Sequence, residues 1–247
     1  MSALNKIFKS DGRAFVLAMD HPLTMPSPDL SDPESVIKNA VEGGVDAFLA
    51  SYGTIRRFRP SFGQAGLILR ADGGATMLSK PVPPLKLLYT AEDAERIGAD
   101  ALLCMGYPGS AVNSATLEHV ARLTRDAHAA KLAAGAEMLP FGFERPEGID
   151  TRSVENVAFA CRLGAEMGAD FIKTEFVGGE RFREVVSSCY VPVLVLGGSK
   201  ARSEEEILES VREAMAAGAS GVIMGRNIVR SPNMTELCRA IAAIIHK

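Results

Sequence analysis

The chain has 247 residues, 47% hydrophobic and 23% charged, with a formal net charge of -3. That length suffices for one large core, and the charge balance, with no long basic run, argues against nucleic acid or an anionic membrane as partner. No apolar stretch approaches the roughly 20 residues that span a bilayer, and Met1–Asp11 lacks the apolar region of a signal peptide.

In chain order, the first strand is predicted over residues 14–20, where an apolar run begins at Ala14. A second is predicted over 46–51, directly after Gly44-Val45-Asp46, and a third over 66–72. The proline-rich Lys80-Pro81-Val82-Pro83-Pro84 reads as part of a long loop after strand three. The fourth strand, 100–105, follows Gly98-Ala99-Asp100. Ala115–Ala134 is rich in Ala and Leu and reads as a helix. Strand five, 136–142, is set after Gly135-Ala136-Glu137, and strand six, 170–175, after Gly168-Ala169-Asp170. Strand seven covers 191–197. Ser203–Ala217 opens with Ser203 and has Glu206 three positions later, a capping box, with Glu204 and Glu205 at the positive end of the helix dipole. Strand eight, 221–225, follows Gly218-Ala219-Ser220.

The recurring glycine suits a left-handed position just past a helix, and a short apolar run after it suits a buried parallel strand. Successive glycines of the repeat are 54, 37, 33 and 50 residues apart. A β/α unit of this chain takes roughly 31 residues, so each long gap holds one further strand, and the count reaches eight. The predicted fold is α/β: a single (β/α)8 TIM barrel over residues 1–247. An open doubly wound sheet is the architectural alternative. The four cysteines, Cys104, Cys161, Cys189 and Cys238, form no C-x-x-C pair and read as reduced, buried thiols of a cytoplasmic protein.

In such a barrel the working residues lie at the C-terminal strand ends. Lys173 stands within an apolar strand, and a lysine is seldom buried unless paired or functional. Desolvation and nearby cations favour its neutral amine, which attacks a ketone or aldehyde to form a Schiff base. The alternative is a structural lysine paired with Asp20, Glu144 or Glu175. Gly197-Gly198-Ser199-Lys200 and Gly225-Arg226-Asn227 follow strands seven and eight, where barrels commonly hold a phosphate. Glycines let backbone N–H groups approach an anion, and Lys200 and Arg226 add charge. Two ordinary glycine turns with solvated cations are the plainer reading. Asp20 is read as a proton shuttle or as the partner that orients the amine; capping the next segment is its structural role. His21 as a metal ligand would stand alone, because no other histidine falls at a strand end, so no metal and no cofactor are expected. His21, Ser51, Asp72 and Phe143 are further candidates for the pocket wall. Met19, Met105 and Met224 read as barrel packing.

Together, Ala18-Met19-Asp20-His21, Ile172-Lys173-Thr174, Gly197-Gly198-Ser199-Lys200 and Gly225-Arg226-Asn227-Ile228 resemble the DeoC/FbaB-type class I aldolases, over essentially the whole chain. Within that group the chain is similar to archaeal-type fructose-bisphosphate aldolases, aminodideoxyheptulosonate synthases and the autoinducer-2 thiolase branch. The resemblance implies Lys173 as the Schiff-base lysine, Asp20 as the first-strand aspartate, and Gly198, Ser199, Lys200, Gly225 and Arg226 as the phosphate site. It also implies a homo-oligomer, often a decamer. The aldolases carry tyrosine at the end of strand five, in a Tyr-Pro-Arg-Gly run. Here the corresponding stretch is read as Phe143-Glu144-Arg145-Pro146-Glu147-Gly148, without the phenol. Proton transfer is then expected from Glu144, ahead of Glu175 and Asp20. The implied activity is a lyase making or breaking a C–C bond in a phosphorylated ketose or keto sugar. A thiolase or transaldolase-like transferase, or a non-covalent sugar-phosphate isomerase or binding protein, is the alternative.

Overall fold

The computed structural model describes residues 3–79, 84–197 and 203–247. Its eight parallel barrel strands are β1 (Ala14–Ala18), β2 (Ala47–Ala50), β3 (Gly66–Arg70), β4 (Ala101–Gly106), β5 (Ala133–Met138), β6 (Phe171–Glu175), β7 (Val193–Leu196) and β8 (Gly221–Met224). Each pairs with its sequence neighbours, and β8 pairs back onto β1 with Ala14 opposite Gly221. The sheet is therefore closed, and the open-sheet alternative falls. An antiparallel bridge, Asp72–Gly73 with Lys86–Leu87, lies outside the barrel.

Alternate residues of each strand face opposite ways. Val16, Leu49, Ile68, Leu103, Phe171, Leu194 and Ile223 form one apolar cluster inside the barrel, joined by Ile7 and Phe8 from the N-terminal segment. Phe8 meets the Phe171 ring edge-on at 6.0 Å, so this segment plugs the end where the strands begin. The outward set, including Phe15, Phe48, Leu67, Leu102, Ala136, Ile172 and Val195, packs against the helices. The helix Glu204–Ala216 carries the expected Ser203/Glu206 capping box.

The glycine repeat has a structural cause beyond helix termination. Gly44, Gly98, Gly168 and Gly218 all have positive φ, between 67° and 97°. The acidic residues that follow reach across to the preceding strand. Asp46 accepts from Phe15 N at 2.7 Å, Asp100 from Leu67 N at 2.9 Å and Asp170 from Ala134 N at 2.8 Å. Each carboxylate thus holds the first turn of an even-numbered strand to the odd-numbered strand before it. Ser220 stands at the fourth such place and pairs through its backbone, accepting from Ala14 N and donating to Val193 O.

Gly135 is not a member of this set, which corrects the sequence reading. It lies inside β5, and a Cβ there would fall 2.4 Å from the Phe171 ring. The helix before it ends earlier than expected, at Ala129, and Lys131 takes the left-handed position with φ 61°. Strand five therefore runs over 133–138 rather than 136–142.

Candidate active site

The shift of β5 decides what reaches the mouth of the barrel. Glu137 lies on the inward face of β5, in register with Met105 of β4 and Lys173 of β6. Lys173 Nζ donates to Glu137 Oε2 at 3.0 Å. Arg70, at the end of β3, donates through Nη2 to the same carboxylate oxygen at 2.5 Å and through Nε to Asp20 Oδ2 at 2.6 Å. Its Nη1 faces Asp72 Oδ1 at 3.4 Å. Asp72 in turn accepts from Met105 N at 2.9 Å. Lys173, Glu137, Arg70 and Asp72 are each no more than 6% exposed.

Three carboxylates and two cations thus share one buried space. Burial alone would raise the carboxyl groups. For Asp20 that effect is outweighed by the Arg70 and Lys173 cations, and its carboxyl is held below the ordinary range. For Glu137 burial is likewise outweighed by Lys173 and Arg70, so it too is held low. Asp72 goes the other way: burial pushes it up, and Arg70 only partly counters this. Arg70 is raised well above the usual arginine value, burial notwithstanding, by Asp20, Glu137 and Asp72.

The sequence reading identified Lys173, Asp20 and Asp72 as strand-end residues, and they meet here. Arg70 and Glu137 were missed. Arg70 interrupts Leu67-Ile68-Leu69 on the inward parity, the same signal that marked Lys173. Glu137 was hidden by the misplaced strand boundary. The expected partners of Lys173 other than Asp20 sit elsewhere. Glu144 is exposed and accepts from Ala111 N at 2.9 Å. Glu175 pairs with Arg152 at the rim. Neither bonds to Lys173, Arg70, Asp20 or Glu137. Ser51 caps the helix Tyr52–Phe58, accepting from Thr54 N, and so serves the backbone. Phe143 is 72% exposed, its ring edge-on to Tyr107, and does not wall the cluster.

The missing phenol also moves. β5 ends at Met138, and the run that leaves it is Leu139-Pro140-Phe141-Gly142. Proline and glycine take the second and fourth places of Tyr-Pro-Arg-Gly, so buried Leu139, not Phe143, stands where that run has tyrosine. The nearest phenol is Tyr107, just past β4. Its hydroxyl donates to Met105 Sδ, and burial, with the Glu137 and Asp72 charges, pushes it above the usual tyrosine range.

At the β7–β8 side, Gly225 presses its backbone against β1: a Cβ there would lie 2.1 Å from Ala18 O. Asn227 Nδ2 donates to Gly197 O at 3.4 Å and ties the two loops. Among the described residues Arg226 has no carboxylate partner. The buried His21 Nε2 has no hydrogen-bond partner among the described residues, and its ring is held below the ordinary histidine value by burial, with Arg226 and Arg230 contributing. Gly198, Ser199 and Lys200 lie outside the described residues.

Residues 14–231 match the DeoC/LacD family of aldolases. The chain is 34% identical to the 2-amino-3,7-dideoxy-D-threo-hept-6-ulosonate synthase of Halobacterium salinarum, over 98% of this chain and 90% of that protein. It is 31% identical to the class 1 fructose-bisphosphate aldolase of Thermoproteus tenax, over 98% and 92%. A solved archaeal fructose-1,6-bisphosphate aldolase, its catalytic lysine covalently bound to the carbinolamine intermediate, matches with a TM-score of 0.89 and 29% identity, covering 99% of this chain and 98% of that one. With that sequence likeness along its whole length, the same closed barrel and a buried lysine at the mouth, the chain belongs to the DeoC/LacD family and is a class I, Schiff-base-forming aldolase.

Proposed function

We propose that Lys173 is the imine-forming residue and that the substrate is a phosphorylated ketose or keto sugar. The observation that carries this reading is the Lys173 amine: buried, facing the barrel mouth from β6, and bonded to a carboxylate able to take its proton. The free amine attacks the keto carbon, the carbinolamine loses water, and the iminium draws electrons from the adjacent C–C bond as it breaks. The solved relative caught with its lysine in a carbinolamine supports the same chemistry.

The phosphate is assigned to the β7–β8 loops. Among the described residues Arg226 has no carboxylate partner and His21 Nε2 no hydrogen bond; these and the Gly225 backbone support this, and Gly197, Gly198, Ser199 and Lys200 complete the reading from sequence. Leu139 in place of the phenol supports a keto substrate other than fructose 1,6-bisphosphate, which the chain should cleave poorly.

Borohydride with dihydroxyacetone phosphate should add mass at Lys173, and Lys173→Met should abolish it with the fold intact. Arg226→Ala should raise KM about 10- to 100-fold, the equivalent of a charge-assisted hydrogen bond of ~1.5–3 kcal/mol. Labelling at another lysine, equal use of phosphorylated and unphosphorylated ketones, or robust fructose 1,6-bisphosphate cleavage would each overturn the corresponding part.

A further inference from the structure

We infer that Glu137 is the general acid–base of this enzyme, taking the place of the phenol that Leu139 has replaced. The inference rests on the reading of Lys173 as nucleophile. Glu137 stands two residues before Leu139, which leaves β5 still paired to Gly106 O through its backbone N–H, so a carboxylate occupies the inward position one step deeper than the lost hydroxyl. Glu137 Oε2 lies 3.0 Å from Lys173 Nζ, within reach of the reacting nitrogen. Glu137 also holds Arg70, but it is the carboxylate bonded to Lys173 among the described residues: Asp20 bonds to Arg70, Asp72 to Arg70 and Met105 N, Glu175 to Arg152, Glu144 to Ala111 N. The Tyr107 hydroxyl donates to the Met105 thioether rather than to a carboxylate.

The steps balance. Lys173 begins as an ammonium and passes one proton to the Glu137 carboxylate. The neutral amine adds to the ketone carbon; the nitrogen's second proton goes to the carbinolamine oxygen. The Glu137 carboxyl returns its proton to that hydroxyl, which leaves as water, and the nitrogen retains its remaining proton as the iminium. Glu137, again a carboxylate, then takes the proton of the substrate hydroxyl on the carbon beyond the breaking bond. The aldehyde departs, the bonding pair moves into the iminium to give the enamine, and Glu137 gives its proton to the enamine carbon. Arg70 holds the same oxygen throughout and fixes the carboxylate's orientation.

The experiment uses 2,4-pentanedione, a 1,3-diketone that captures a nucleophilic lysine as an enaminone without regard to the natural substrate. Wild type, Glu137→Gln and Glu137→Asp are compared by rate of capture at Lys173 across pH, and by deuterium exchange into dihydroxyacetone phosphate. Thermal melts verify folding. A carboxylate that merely pairs with the ammonium would, once neutralised, release the amine and speed capture near neutral pH. A carboxylate that moves protons gives the opposite sign. The expected result is capture and exchange slowed 10²- to 10⁴-fold in Glu137→Gln, with part of the rate and the wild-type pH profile restored in Glu137→Asp. Wild-type or faster rates in Glu137→Gln would overturn the inference. So would unaltered rates there beside a loss in Tyr107→Phe, which would give the role to the phenol. Should the Gln variant not fold, loss of the wild-type pH profile in a folded Glu137→Asp would overturn it equally. No capture at Lys173 in wild type would overturn the reading of the lysine, and the inference with it.

Discussion

Arg70 is the residue on which the site's electrostatics turn. One guanidinium serves Asp20, Asp72 and Glu137, and a planar fork with five donors is the side chain suited to that. Replacing it with Met would leave three carboxylates in low dielectric with only Lys173 opposite. Breaking a buried ionic set this way costs about 3–5 kcal/mol. We therefore expect Arg70→Met to lower the urea midpoint by that equivalent at pH 7. The deficit should shrink with acidification. In the native protein Asp20 and Glu137 are held low, so their contribution is present above the unfolded carboxyl values near ~4 and is lost as pH falls through the lower folded values. In the variant the same groups rise, take up protons in the folded state and cease to penalise it at low pH. A deficit that stays constant from pH 7 to pH 4 would contradict this account. Lys173 was legible in the sequence because a charge inside an apolar strand is expensive. Arg70 carries the same signal, but a strand predicted over 66–72 places it in the interior, whereas β3 ends at Arg70 itself.

At the scale of elements, the repeat was legible and its period was not. Four glycines with positive φ mark every second strand, and after three of them a carboxylate fastens the even strand to the odd one before it, Ser220 pairing through its backbone at the fourth. Gly135-Ala136-Glu137 has the same letters by coincidence. Its glycine answers to the Phe171 ring, and a lysine takes the left-handed turn instead. Local pattern cannot separate these cases, since the ring that excludes a Cβ at Gly135 comes from the next strand. That one ambiguity displaced β5 by three residues at its start, hid Glu137 and put the missing phenol at Phe143. Asp100 offers the test of the clamp: Asp100→Ala should cost ~1–3 kcal/mol by leaving the Leu67 amide without its acceptor. Hydrogen exchange at Leu67 should quicken with it. Unchanged stability and exchange would mean that water replaces the carboxylate without loss.

For the molecule as a whole, the end opposite the mouth, plugged by Ile7 and Phe8, is tied to the C-terminal helix Met234–Ile245 and the residue after it. His246 bonds through Nδ1 to Asp11 at 2.7 Å and through Nε2 to Asp46 at 2.9 Å, and Arg13 Nη1 donates to Ile245 O at 2.6 Å. Burial opposes the imidazolium, but Asp11 and Asp46 prevail and raise its pKa. A raised folded value stabilises fully below the unfolded value near ~6.5 and loses that stabilisation as pH climbs through the folded value. Asp11 is held low because His246 and the Arg13 amide outweigh its slight burial, so its share fades only in acid. The difference in melting temperature between wild type and His246→Gln should thus be greatest near pH 5–6 and decline toward pH 9. A flat difference curve would show that the histidine packs without charge.

The carboxylate clamps have a further consequence for the chain as it is made. A ribosome delivers β1 well before Asp46, β3 well before Asp100 and β5 well before Asp170, so each odd strand waits with a bare amide until its even partner emerges. Synthesis paused after β2, β4 or β6 leaves a nascent chain with its first-turn donors answered. A pause after β3 or β5 leaves one waiting. Growth of this barrel is therefore quantised in pairs of strands, and the intermediates on the ribosome that best resist proteases should be quarter, half and three-quarter barrels.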